Sequence, residues 1–119
     1  MAYTPIDKSS DYFNTKLYTG NGSNNTSITG VGFQPDWVWV KARNIEYGHK
    51  LFDVVRGQGK RLSTNDANAE STVTNELTSF NSDGFTTNNN NGMNENNRPY
   101  VAWNWLAANG TASNTAGSI

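Results

Sequence analysis

The sequence predicts an all-β protein: a small antiparallel β-sandwich (jelly-roll-like) of about eight strands with long polar loops. Composition is the first reason, because the 119 residues include 19 Asn, 13 Thr and 11 Gly, whereas charged residues make up only 16%. Asn and Gly favour turns, and few of the residues that fill helices are present. The second reason is periodicity: short segments with apolar residues at alternate positions are separated by turn-forming clusters.

Three strands are predicted in the first part of the chain. The segment "DYFNTKLYTG" predicts the first, "NGSNN" a turn in which Asn21-Gly22 can take positive φ, and "TSITGV" the return strand. The segment "PDWVWVKAR" gives the strongest strand signal, and Pro35 at its start removes no hydrogen bond from a central ladder. We therefore expect a hairpin followed by a third strand.

Two hairpins are predicted farther along. The segments "HKLFDVVR" and "KRLST" flank the short loop "GQG", and "LTSFNSDGFTT" turns back at "NSDG". The segment "NDANAESTVTNE" is where a helical turn is expected, since Asn65 or Asp66 can cap it. The segment "NNNNGMNENNRP" offers almost no side chain for burial and predicts an exposed loop, and "YVAWNWLAA" predicts the closing strand.

The chain length fits one domain. We assign residues 1–11 to an N-terminal arm, 12–108 to the β-sandwich and 109–119 to a C-terminal tail or linker. The formal net charge of −1 provides no field that attracts nucleic acid, and the absence of cysteine excludes disulfides and thiolate metal sites. No apolar run has the length of a signal peptide or membrane span, so we expect a soluble protein made in a cytoplasm, with no membrane insertion.

No motif predicts catalysis. His49 is the single histidine and no "GxSxG" elbow accompanies it. The stretch "NSDGFTTNNNNG" holds one acid, Asp83, where a calcium loop needs several, and "VRGQGKR" lacks the spacing of a phosphate-binding loop. We therefore expect a non-enzymatic protein with no catalytic residue, no metal site and no cofactor.

The tryptophans raise the main functional question. Side chains on a strand alternate between its faces, so Trp37 and Trp39 share a side with Arg43, while Val38 and Val40 point inward. Burial in the core is the ordinary role of tryptophan, and an exposed aromatic patch that stacks on sugars or anchors a protein partner is the alternative. Both remain open for Trp37 and Trp39.

The closing strand gives a clearer expectation. Val101, Trp103, Trp105 and Ala107 share a wholly apolar side, so Trp103 and Trp105 are predicted to lie in the core. If a ligand surface exists, its candidate residues are Trp37, Trp39, Arg43 and Tyr100.

Five phrases occur in an order that resembles a known family: "YFNTKLYTGNGS", "ITGVGFQPDWVWVKAR", "LFDVVRG", "LTSFNSDGFTTNNNNG" and "YVAWNWLA". They resemble a domain of unknown function that recurs, sometimes in tandem, in structural and tail-associated proteins of marine bacteriophages, including those infecting cyanobacteria. The resemblance covers roughly residues 10 to 108. Members often continue into another such unit where this chain ends, and the family provides no catalytic motif to carry over.

The resemblance implies a virion protein that leaves the host cell by lysis. Our first hypothesis is a phage structural protein on a tail fibre or the capsid surface, associated with other virion proteins and with copies of itself, with host-receptor attachment as a further role. The alternative is a carbohydrate-binding module for a host surface glycan, with Trp37, Trp39 and Tyr100 as an exposed aromatic platform. The N-terminal arm is expected either to dock onto a neighbour or to be disordered.

Overall fold

The computed structural model describes residues 8–107, which contain nine β-strands and one short 3-10 helix. The elements are η1 (Ser9–Asp11), β1 (Phe13–Thr19), β2 (Thr26–Ile28), β3 (Trp37–Ala42), β4 (Lys50–Asp53), β5 (Lys60–Ser63), β6 (Ser71–Thr72), β7 (Leu77–Asn81), β8 (Gly84–Thr87) and β9 (Pro99–Trp105). The all-β prediction is confirmed. Residues 1–7 of the predicted arm and the whole predicted tail, 109–119, lie outside the described residues.

The strands form two antiparallel sheets, as expected for a small sandwich. The larger sheet has the order β1-β9-β3-β4-β5-β6, and the smaller has the order β2-β8-β7. Strand β9 lies between β1 and β3, so Trp103 is opposite both Thr15 of β1 and Trp39 of β3. The closing strand thus joins the first strand to the middle of the larger sheet.

The predicted hairpin between the first two strands is wrong. The chain leaves the larger sheet after β1, and β2 belongs to the smaller sheet. There β2 pairs with β8, which places Ile28 opposite Phe85. Gly84 permits this close approach, because its φ is 153° and a Cβ there would collide with the Ile28 carbonyl oxygen. The two later hairpins are confirmed: β4 pairs with β5, and β7 pairs with β8.

The helical turn predicted between β5 and β7 does not form. The Asp66 carboxylate instead accepts a hydrogen bond from the Asn68 backbone N–H, an Asx turn that competes with helix. The chain then enters the short strand β6, in which Ser71 pairs with Arg61 of β5. Local side-chain bonding and sheet pairing thus outweigh a weak helical preference here.

The core lies between the two sheets, and Val38 and Val40 point into it as predicted. The larger sheet contributes Val38, Val40, Ala42, Phe52, Tyr100 and Ala102; the smaller contributes Ile28, Leu77 and Phe85; and Met93 enters from a loop. The side chains of Ala42 and Ala102 are small, which leaves room for the large rings of Phe52, Phe85 and Tyr100 in a close-packed interior.

The Asn-rich segment between β8 and β9 is not the exposed loop that the sequence predicted. Met93 and Asn94 are completely buried. The Tyr18 hydroxyl donates to the Met93 carbonyl at 2.7 Å, and the Tyr100 hydroxyl donates to the Asn91 carbonyl. Asn94 uses its amide to hold the β1–β2 loop, donating to the Asn21 side chain at 2.9 Å. Hydrogen bonds of buried polar groups therefore order a loop that its composition predicts to be wholly exposed.

Candidate binding site on the outer face of the larger sheet

All four tryptophans lie on the outer face of the larger sheet, the side that the smaller sheet does not cover. Residues directly opposite each other in an antiparallel pair share a face, and the register aligns two rows across the strands. One row contains Phe13, Trp105, Trp37 and Asp53; the next contains Thr15, Trp103, Trp39, Leu51 and Leu62. Leu17 and Val101 extend the surface beyond the second row, where Lys41 lies next to Val101. We call this surface the aromatic face; it comprises the two rows together with Leu17 and Val101.

The rings of the aromatic face pack against one another. The Trp37 and Trp105 centroids are 4.1 Å apart, with an angle of 67° between the ring planes. Trp39 and Trp103 are 4.9 Å apart at 42°, and Phe13 and Trp105 are 4.7 Å apart at 51°. These distances and tilts are typical of favourable aromatic contacts. The rings therefore form a continuous cluster in which each indole is half-buried by its neighbours.

The prediction that Trp103 and Trp105 lie in the core is wrong. Both are half-buried on the aromatic face, whereas Tyr100, Ala102 and Asn104 of the same strand are completely buried. The cause is the pairing of β9 with β3: since Val38 and Val40 point inward, the residues beside Trp37 and Trp39 must point outward. The apolar pattern of β9 alone does not contain this constraint, which comes from its pairing with β3.

The aromatic face is partly open to solvent. Leu17 is 55% exposed and Phe13 is 36% exposed. By contrast, Leu51 is nearly covered at 9%, although it lies outside the core cluster between the sheets. Trp39 and Leu62 are its partners in the register on this face, so the outer surface has a small apolar interior of its own.

Polar groups border the aromatic face. The Trp39 indole N–H donates to the Thr64 hydroxyl at 2.9 Å, which satisfies its one polar atom. On the side of Trp37, Asp53 forms an ion pair with Arg56, and Arg56 lies 3.7 Å from a carboxylate oxygen of Glu70. A polar rim around an apolar centre is the usual arrangement of a protein interface.

The structure separates the candidate ligand residues that the sequence suggested. Trp37 and Trp39 are neighbours on the aromatic face, with centroids 6.4 Å apart. Arg43 is exposed one residue beyond β3, and its backbone N–H donates to the Pro99 carbonyl. Tyr100 is completely buried on the opposite side of the sheet, so its inclusion in the exposed platform is corrected.

Sequence reasoning missed Phe13, Leu17, Trp103 and Trp105 as members of this surface. The sequence did contain one signal for this surface: the residues on one side of the closing strand are all apolar. A strand that buries this side in the core has the same pattern, so the pattern does not distinguish the two. Only the pairing of that strand with β1 and β3 shows that it faces outward.

Within residues 8–107, no group of three or more His, Cys, Asp or Glu side chains lies in an arrangement that would hold a metal ion. In the same part of the chain, no helix has the length and apolar character needed to cross a bilayer.

Comparison with known proteins gives one result. Searches of curated proteins and of solved structures each found no significant match. A family model described as "Domain of unknown function (DUF7483)" matches residues 8–119. That match includes every strand of both sheets and the whole aromatic face. The chain therefore belongs to the DUF7483 family of domains of unknown function.

Proposed function

We propose that this domain is a non-enzymatic structural module of a phage virion, on a tail fibre or the capsid surface, and that its aromatic face joins it to other virion proteins or to copies of itself. Host-receptor attachment is a further role within this proposal. The virion setting follows from the resemblance noted in the sequence. The protein is then made in the host cytoplasm and released by lysis.

One observation carries the binding role: the outer face of the larger sheet is aromatic where water-facing sheet surfaces are ordinarily polar. An antiparallel sheet with one solvated face alternates between apolar inward and polar outward residues. Strand β3 instead has Val38 and Val40 on its inner side, and on its outer side Trp37 and Trp39 precede the one polar residue, Lys41. Contiguous exposed apolar surface with a polar rim marks an interaction site, and Trp is enriched at the centres of interfaces.

The edge of the sheet supports the same role. Strand β1 is the outermost strand beside β9, and its exposed Phe13 and Leu17 lie on the aromatic face. A partner that covers these side chains would also approach the edge of β1 that pairs with no other strand among residues 8–107. Symmetric assemblies commonly cover sheet edges in this way.

The test is the oligomeric state in solution together with the protein content of purified virions. A Phe13→Ser, Leu17→Ser variant removes the two exposed large apolar side chains of the aromatic face, and Val55→Ser is the matched control because Val55 is 78% exposed and lies outside that face. Sedimentation velocity over a range of concentrations is expected to show self-association for the native chain and the control, and a shift to monomer for the double variant. Mass spectrometry is expected to find the chain in particles. A native chain that stays monomeric and is absent from particles would contradict the proposal.

The second candidate is a carbohydrate-binding module that uses the same indoles. Half-buried rings on the surface beside hydroxyls such as that of Thr64 favour it. The ring planes are tilted by 42° to 67° in the close pairs, so a sugar would stack on a single ring and not along a flat platform. Titration with neutral oligosaccharides, followed through the indole N–H signals in NMR spectra, tests it; saturable shifts that Trp37→Leu abolishes would support a glycan site.

A further inference from the structure

A polar cavity opens between the two sheets, on the opposite side of the larger sheet from the aromatic face. Its volume is about 450 Å³, within the usual range for small-molecule sites. Lys50 of β4 and Arg61 of β5 line one side, and Glu76, immediately before β7, lies between them. The Asn-rich segment after β8 supplies much of the remaining wall.

Three charged groups form the floor of this cavity. The Oε1 atom of Glu76 accepts from Lys50 Nζ at 2.9 Å and from Arg61 Nη1 at 2.7 Å. Glu76 is only 3% exposed, and two cations share its single negative charge. Its Oε2 atom and the Nε of Arg61 are buried without a hydrogen-bond partner among the described residues. The cluster therefore has one excess positive charge and is not fully satisfied by the protein.

Amide side chains surround the charged floor. Asn75, Asn89 and Asn91 line the cavity, and none of their side chains hydrogen-bonds to another described residue. Each amide offers both a donor and an acceptor, which is the combination that binds sugar hydroxyls. Tyr47 adds a ring to the wall, and its hydroxyl donates to Glu95 at 3.1 Å.

The walls are held in place without a ligand. The Asn90 side chain accepts from the Gly92 backbone N–H at 2.9 Å, and the Tyr100 hydroxyl holds the Asn91 carbonyl. The Lys50 stem packs so closely on Gly92 that a Cβ at this position would collide with it. Since the charged side chains and the backbone of the Asn-rich segment are already held, a ligand would lose free energy mainly in ordering the exposed amide side chains.

We propose that this cavity binds an acidic sugar, a hydroxyl-rich ring that carries a carboxylate or a sulfate. The excess positive charge of Lys50 and Arg61 over Glu76 selects one negative group, and charge-assisted hydrogen bonds to Arg and Lys are the strong kind. The free amides suit the ring hydroxyls, and the volume admits one or two rings. This site is separate from the aromatic face, so it does not depend on the assembly role proposed above.

The proposal is tested by titrating the ¹⁵N-labelled chain with galacturonate and with galactose, its neutral counterpart, and following the backbone amide signals. Galacturonate is expected to shift the Gly48 and Gly92 signals saturably and to bind at least about tenfold more tightly than galactose. Arg61→Gln leaves Glu76 paired with Lys50 and is expected to weaken galacturonate binding by about tenfold. Lys60→Gln removes the same charge from the neighbouring position of β5, outside the cavity, and is expected to leave binding unchanged.

A second pair of variants tests the amides. Asn75→Ala removes a free amide that lines the cavity, whereas Asn68→Ala removes an exposed one elsewhere; only the first is expected to weaken binding. The proposal is overturned if neither galacturonate, glucuronate nor galactose 6-sulfate gives a saturable shift, or if the shifts map to the indole N–H groups of the aromatic face. It is also overturned if inorganic sulfate competes as well as galacturonate does, or if Lys60→Gln weakens binding as much as Arg61→Gln.

Discussion

Trp37 of β3 and Trp105 of β9 lie directly opposite each other, with ring centroids 4.1 Å apart and ring planes at 67°. Edge-to-face pairs of this kind contribute about 0.5–1.5 kcal/mol beyond the area that they bury. Phe13 continues the row at 4.7 Å from Trp105, so side chains connect β1, β9 and β3 on the outer face as well as in the core. The aromatic face therefore stabilises the sheet and also presents the proposed interface.

We expect Trp37→Ala to lower the free energy of unfolding by about 2 kcal/mol, less than for a core tryptophan because the ring is half-buried. Urea denaturation followed by circular dichroism measures this change. Phe13→Ala is the comparison, and its effect is expected to be smaller because Phe13 is 36% exposed. Equal effects of the two variants would contradict the expectation that the more buried ring contributes more to stability.

Tyr100→Phe is expected to cost about 1–3 kcal/mol of unfolding free energy. The Tyr100 hydroxyl donates to the Asn91 carbonyl and accepts from the Glu95 backbone N–H at 2.9 Å, so its loss leaves both groups unpaired. Hydrogen exchange at the Glu95 amide should accelerate in the variant. Tyr12→Phe removes the hydroxyl of an exposed tyrosine and is expected to change neither quantity.

Glu76→Ala is expected to destabilise the fold by about 3 kcal/mol, because it leaves Lys50 and Arg61 together without their shared carboxylate. Glu46→Ala, at an exposed position, is the control and should have little effect. Thermal unfolding compares them. A Lys50→Met variant added to Glu76→Ala should recover part of the loss, since it removes one of the two uncompensated charges; no recovery would contradict the electrostatic explanation.

Asp83 is expected to make stability depend on pH. Hydrogen bonds from the backbone N–H groups of Gly30 and Gly32, at 2.9 and 2.7 Å, lower the pKa of the Asp83 carboxyl from its ordinary value. Because the folded pKa lies below the unfolded one, the stabilisation is fully present above the unfolded value of about 3.9 and is lost as the pH falls through the folded pKa.

The test is the urea midpoint of the native chain and of Asp83→Asn between about pH 7 and about pH 2.5. Asp83→Asn should lower the midpoint at neutral pH, and the difference between the two chains should shrink as the pH falls. Ser82→Ala, at the exposed position beside Asp83, is the control and should follow the native curve throughout. A constant difference between native and Asp83→Asn would show that the two hydrogen bonds do not depend on the charge.

Local sequence signals predicted the fold class and most strands well. The alternation in "PDWVWVKAR" marked β3 and the inward direction of Val38 and Val40, and the turn "NSDG" marked the β7–β8 hairpin. These predictions succeed because period-two alternation and turn chemistry act between residues that are close in sequence. Composition misled at Met93 and Asn94, where contacts with distant tyrosines and turns order a segment that has few apolar residues.

By itself, the sequence determined the all-β class and the placing of paired tryptophans on two strands, because alternation and turn residues are local properties. The tertiary structure decided that β9 inserts between β1 and β3 and that β2 joins the other sheet. That arrangement turns Trp103 and Trp105 outward beside Trp37 and Trp39, and it brings Lys50, Arg61 and Glu76 together from three separate segments. Pairing between strands distant in sequence sets which side of each strand is buried, and no single strand's pattern contains that information.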